Sequence, residues 1–206
     1  MATRNDGVLD LILGMTRCGK TSLMYERFKR QKRLIVMDRQ AQLAALPGWD
    51  WKTAQTYPEL RALVLEHLKS PEIAISYQPR SRADFNPFCS LAYLFGMAKP
   101  CTVAVDELAQ YTGAGKGGEG WNALVNMALK YEINIIAAAQ RAQEIDNTVR
   151  GAATNMFFFM QASEKDEKFI IDNYRGVTAE KFPREKFKYL WRKPDGKVSR
   201  HTTKKM

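Results

Sequence analysis

Gly14-Met15-Thr16-Arg17-Cys18-Gly19-Lys20-Thr21 decides how the rest of the chain is read. It has the form G-x-x-x-x-G-K-T, that of a phosphate-binding loop. Residues 8–13 before it (VLDLIL) make an apolar run of strand length, and Leu23, Met24 and Phe28 after it recur at helical spacing. Strand, glycine loop and helix in that order are the context the motif needs. The glycines let the backbone curl so that its N–H groups face inward, and the helix turns its positive end to the same point. In such a loop Gly14, Met15, Thr16, Arg17, Cys18, Gly19, Lys20, Thr21 and Ser22 would wrap the phosphates of a nucleoside triphosphate. Lys20 would reach the β- and γ-phosphates, and the Thr21 hydroxyl would ligate Mg²⁺. The alternative, a chance glycine turn, leaves the flanking strand and helix unexplained.

A chain of 206 residues, 45% of them hydrophobic, can bury one sizeable core. Its three cysteines, Cys18, Cys89 and Cys101, are odd in number and lack metal-ligand spacing, a pattern expected inside a reducing cell. No stretch is laid out as a signal peptide or is apolar for the ~20 residues that cross a bilayer. The net charge is +10. Much of it lies in residues 184–206, where nine Lys or Arg face two acids. Such a surplus suits nucleic acid, an anionic membrane or an acidic protein, or else a solubilising tail. Arg192, Lys193, Lys197 and Arg200 are the candidate DNA contacts there.

Apolar runs alternate with helical patterns along most of the chain. Further strands are expected at residues 33–38, 72–77, 101–107, 133–139 and 156–160. Helices are expected at 58–69, from 86 to 97, at 121–131 and from 163 to about 175, with short helical turns within 41–46 and 144–153. Residues 113–120 are rich in glycine and read as a mobile loop carrying Lys116, a further candidate DNA contact. Pro194-Asp195-Gly196 between residues 187–191 and 198–202 signals a hairpin. The pattern predicts an α/β fold, a mostly parallel sheet flanked by helices. Residues 1–183 form the catalytic domain in this reading, and 184–206 a basic hairpin or tail.

Ligands of such sheets lie beyond the carboxyl ends of the strands. That places three features on one rim: the glycine loop, Asp106-Glu107 at the end of TVAVDE, and Gln140-Arg141 at the end of INIIAAAQR. Asp106 is expected to hold Mg²⁺ and Glu107 to activate water, which favours hydrolysis. Gln140 would touch the γ-phosphate or the attacking water. Arg150, with Arg141 as rival, is a candidate arginine finger acting on a neighbouring subunit.

GMTRCGKT, RLIVMD, TVAVDE and INIIAAAQR followed by EIDNTVRGAATNMFFF together resemble the FtsK–HerA superfamily of ATPases. In size the chain is similar to the genome-packaging ATPases of tailless, membrane-containing viruses with double-jelly-roll capsids. The resemblance covers roughly residues 8–175. It implies a P-loop NTPase fold of the RecA-like, ASCE type, with ATP and Mg²⁺ between the subunits of a ring, usually a hexamer. It also implies double-stranded DNA in the channel, work in the host cytoplasm at the packaging vertex, and a capsid or portal-vertex partner. The second strand continues Asp38-Arg39-Gln40, unlike the Asp-x-x-x-Glu-Tyr of some HerA-like members. Three other readings stay open: an assembly or export ATPase of filamentous phages, a nucleoside or nucleotide kinase, and a nucleotide-dependent scaffold that does not hydrolyse.

Overall fold

The computed structural model describes residues 6–115 and 117–205. Its sheet strands are β1 (Leu9–Leu13), β2 (Arg33–Met37), β3 (Trp51–Ala54), β4 (Ile73–Tyr77), β5 (Thr102–Val105), β6 (Asn134–Ala139), β7 (Asn155–Phe159), β8 (Lys188–Arg192) and β9 (Val198–Thr202). The helices are α1 (Lys20–Phe28), α2 (Tyr57–Glu66), α3 (Phe85–Ala98), α4 (Ala109–Thr112), α5 (Glu119–Met127), α6 (Asn147–Ala152) and α7 (Glu164–Asn173). All nine strands form one sheet in the order β3-β4-β2-β5-β6-β1-β7-β8-β9. From β3 through β7 in that order every pair is parallel. The last two strands are antiparallel additions. The α/β, mostly parallel architecture read from the sequence is therefore the observed one.

Strands buried on both faces read as near-continuous apolar runs, and β1, β2, β4, β5 and β7 are buried throughout. Leu9, Leu11 and Leu13 face one core, filled by Leu60 and Val64 of α2, Phe88 and Phe95 of α3, Trp121 and Leu124 of α5, and Ile170 of α7. Ile12, Leu34 and Val36 face the other, where Leu23, Met24 and Phe28 of α1 cover them. Trp49 and Trp51 complete that second layer as a tilted pair 5.6 Å apart.

Three local expectations change. Strand β3 is absent from the sequence reading, because Trp51–Ala54 has no continuous apolar run and is mostly half-exposed at the sheet edge. Residues 41–46 are an irregular turn held by the buried Asp38, whose carboxylate accepts the N–H groups of Gln42 at 2.8 Å and Ala44 at 2.7 Å. Part of the glycine-rich segment is packed and not free. A Cβ at Gly118 would lie 2.0 Å from the Asn86 side chain, and one at Gly120, already inside α5, 2.2 Å from Asn86 O. Those glycines allow α5 to approach α3. Gly113 and Gly115 have open space around them, and Lys116 lies outside the described residues.

Candidate nucleotide site

The glycine loop leaves β1 between its two neighbours. Gly14 N–H donates to Ala139 O of β6 at 3.2 Å, and Met15 N–H to Met160 O beyond β7 at 2.9 Å. A Cβ on Gly14 would meet Phe159 Cβ at 2.5 Å and Cys18 Sγ at 2.9 Å, so the start of the loop admits only glycine. Gly19 sits at φ 115°, which an L side chain resists, and hands the chain into α1. Lys20 is buried, 7% exposed, and its ammonium donates to Gly14 O at 2.8 Å and Met15 O at 3.0 Å. Two of three ammonium donors thus hold the cation in the curve of the loop, and the third remains for an anion. Ser22 is buried, Thr21 and Met15 half-buried, and Thr16 and Arg17 exposed. Burial pushes the Cys18 thiol up despite the nearby Lys20 charge, so it stays a protonated packing group and not a nucleophile.

Strand β5 ends one residue before Asp106, and the backbone turns at once. Glu107 adopts φ 52°, an uncommon conformation for a residue with a side chain. Leu108 N–H, donated to Ala138 O at 2.8 Å, fastens the turn to β6. The Glu107 carboxylate then meets the Gln140 amide, which donates to its two oxygens at 3.1 and 3.2 Å. Asp106 Oδ1 accepts Glu107 N–H at 2.9 Å. The sheet thus brings Gly14–Ser22, Asp106, Glu107 and Gln140 to one rim, at the carboxyl ends of β1, β5 and β6.

Desolvation, and then the charge of Glu107, push the Asp106 carboxyl from 3.8 up to about 6, while Lys20 pulls the other way. An acid raised in the folded state binds its proton more tightly there than when unfolded. Its stability penalty is absent below the unfolded value and complete above the folded one. Asp106→Asn keeps the Oδ1 acceptor and removes that penalty. It is expected to raise the melting temperature of the nucleotide-free protein by a few degrees near pH 8, with most of the gain lost near pH 4. Thermal unfolding at the two pH values measures it; a gain of the same size at both would show that charge is not the cause.

Among the described residues no group of three or more His, Cys, Asp or Glu could cage a metal. Asp106 and Thr21, the residues expected to hold Mg²⁺, would offer it one carboxylate and one hydroxyl oxygen, donor types that suit an ion held largely by water and nucleotide phosphates.

The arginines are engaged within the chain. Arg141 is exposed at the rim and pairs with Glu144 at 3.0 Å and with buried Asp166 at 3.4 Å. Arg150, the candidate finger, is half-buried: it donates to Asn147 Oδ1 and lies over the Phe169 ring at 5.4 Å. Its Nε is buried without a partner among the described residues.

The basic hairpin has two ends with different surroundings. Strand β8 runs against β7 with Phe159 opposite Tyr189 and Met156 opposite Arg192. The turn bearing Lys193 and Lys197 therefore lies at the pole away from the nucleotide rim. There Lys193 is exposed over Trp191 at 4.7 Å, and Lys197 pairs with Asp195 at 3.2 Å. Arg192 reaches Arg175 O at 3.4 Å, and Arg200 Nε reaches Lys181 O at 3.1 Å. The other end of the hairpin abuts the glycine loop. Phe187 N–H donates to Cys18 O at 2.7 Å, and its ring would touch a Cβ on Gly19 at 2.9 Å. Nothing local in the sequence marks Phe187 as a neighbour of residues 18–19, since 168 positions separate Phe187 from Gly19 and only the sheet order joins them.

No protein-family model matches the chain. Protein P9 of Pseudoalteromonas phage PM2 is 34% identical over 77 residues, 37% of this chain. That match spans about a third (35%) of the relative's own length. Among solved structures, the genome packaging NTPase B204 of Sulfolobus turreted icosahedral virus 2, in complex with AMPPCP, superposes with a TM-score of 0.72. It is 13% identical, and the match covers 98% of this chain and 100% of that one. The N-terminal domain of zonular occludens toxin from Neisseria meningitidis is more distant, with a TM-score of 0.51 at 16% identity and coverage of 97% and 96%. At these identities the likeness establishes the fold, which is the phosphate-loop NTPase fold that the sequence motifs implied.

Proposed function

We propose that the chain is an ATP-hydrolysing motor that moves double-stranded DNA and packages a viral genome into a procapsid. The observation that carries this is the meeting of Lys20, Asp106, Glu107 and Gln140 on one rim, with Glu107 already held by Gln140. An acid so placed beside a phosphate loop serves water attack better than transfer to a second substrate. The fold of a packaging NTPase and the local identity to a protein of a phage support the same reading.

In this function Gly14–Ser22 surround the triphosphate, and Lys20 turns its remaining donor to it. Glu107 orients the attacking water and takes its proton. Gln140 fixes the carboxylate and changes partner as phosphate departs. Thr21 and Asp106 would hold Mg²⁺, which would supply positive charge to offset that of the phosphates. The working unit is a ring, a hexamer by analogy with the resembled superfamily, with DNA in its channel and a capsid partner at the packaging vertex in the host cytoplasm. Arg192, Lys193, Lys197 and Arg200 contact DNA phosphates without sequence preference, with affinity falling steeply as salt rises.

Steady-state phosphate release with and without double-stranded DNA tests the reading. Severalfold stimulation by DNA is the expected result. An unchanged rate refutes the motor, and phosphate transfer to an added nucleoside would reassign the chain as a kinase.

Arg150 is proposed to complete the neighbour's site, which requires it to leave Asn147 and Phe169. Loss of an arginine finger lowers turnover by on the order of 10³-fold. Mixing Arg150→Ala with Lys20→Ala subunits is expected to restore activity, because some interfaces then keep both groups. Near-normal turnover of Arg150→Ala alone would pass the role to Arg141.

A further inference from the structure

The chain does not end at the hairpin's second strand. After β9 it returns to the phosphate loop, and Thr203 and Lys204 are held there. Thr203, only 2% exposed, donates its N–H to Phe187 O at 2.9 Å, and Phe187 in turn donates to Cys18 O in the loop. The Thr203 hydroxyl donates to Glu26 Oε1 of α1 at 2.6 Å, and Lys204 N–H to the same oxygen at 3.0 Å. The return segment is thus fastened on one side to the loop and on the other to the helix that follows it. The next residue, Lys205, lines a cavity of about 250 Å³ together with Arg17, Gly19, Thr21, Ser22 and Phe187. Lys205 is exposed there.

We infer that Lys205 is a nucleotide-binding residue, a cation supplied in cis by the C-terminal segment to the phosphate chain at the mouth of the loop. Resting on the nucleotide reading above, this gives the basic C-terminus two tasks. The hairpin turn at the far pole is free for a polyanion, and the last residues serve the bound nucleotide. Three features separate Lys205 from a solvated tail lysine. Its backbone is anchored immediately before it by three hydrogen bonds. Its cavity is lined by Lys20, Thr21 and Ser22, residues that the proposed function sets around the phosphates. The facing Phe187 gives the site an apolar wall, so a charge contact there is less screened than on an open surface.

Calorimetric titration of the full chain with MgATP, without DNA, is the test. Lys205→Ala is expected to weaken ATP binding about tenfold, as for loss of one charge-assisted hydrogen bond. Lys205→Arg should recover most of it, and the melting temperature of the nucleotide-free variant should match that of the parent. Binding of ATP to Lys205→Ala within twofold of the parent overturns the inference and leaves the motor reading intact. A melting temperature that falls with the affinity, unrescued by arginine, overturns it in favour of a purely structural tail. A parent chain that does not bind ATP overturns both.

Discussion

Glu107→Gln is expected to bind ATP and to stop there. The substitution leaves Asp106 and Lys20 in place, so the phosphates and Mg²⁺ keep their partners. It removes the carboxylate that the turn after β5 sets against Gln140, at φ 52°. General-base assistance contributes roughly 10²- to 10⁴-fold, and a loss in that range is expected in turnover. An amide at 107 would also set one N–H of its own against the Gln140 amide donor, loosening the pair. Rapid filtration of bound nucleotide alongside phosphate release reads both effects. Unaltered steady-state turnover would take the base assignment away from Glu107.

Lys20→Ala is expected to abolish turnover by a different route. Lys20 is 7% exposed and its ammonium is tied to Gly14 O and Met15 O, so it serves the loop's shape as well as its charge. Loss of a preorganised donor to developing negative charge costs on the order of 10²- to 10³-fold in rate, and weaker ATP binding adds to it. Lys20→Met separates the two contributions, because it keeps the stem within the packed loop. A Lys20→Met protein with parental ATP affinity and turnover would mean that the cation plays no part in the chemistry.

The alternation of apolar runs and helical patterns made most of the fold legible, because parallel strands buried on both faces leave a continuous signature. Trp51–Ala54 escaped for the complementary reason: an edge strand of four residues with Lys52 in it carries no such run. The glycines at 118 and 120 suggested freedom, yet they mark where α5 closes on α3, a distinction that depends on Asn86, more than thirty positions earlier. At the site, Gly14 to Thr21 and Asp106-Glu107 were readable because local backbone geometry dictates the motif. The hold of Gln140 on Glu107, the packing of Arg150 on Phe169 and the return of residues 203–205 to the loop were not. Each joins elements far apart in the chain, and no spacing rule reaches across a sheet.

The three cysteines also give the folded protein a silent chemical clock. Cys18, Cys89 and Cys101 are unpaired, at 1%, 0% and 5% exposure, and burial raises each thiol's pKa. A maleimide therefore meets almost no thiolate until part of the structure opens, and its rate of attachment reports the opening. The positions divide the molecule usefully. Cys18 lies in the glycine loop and Cys89 within α3, with Cys101 at the threshold of β5. A single labelling time course, resolved by peptide mass, thus distinguishes breathing of the nucleotide loop from unfolding of the core without any dye, tag or added residue.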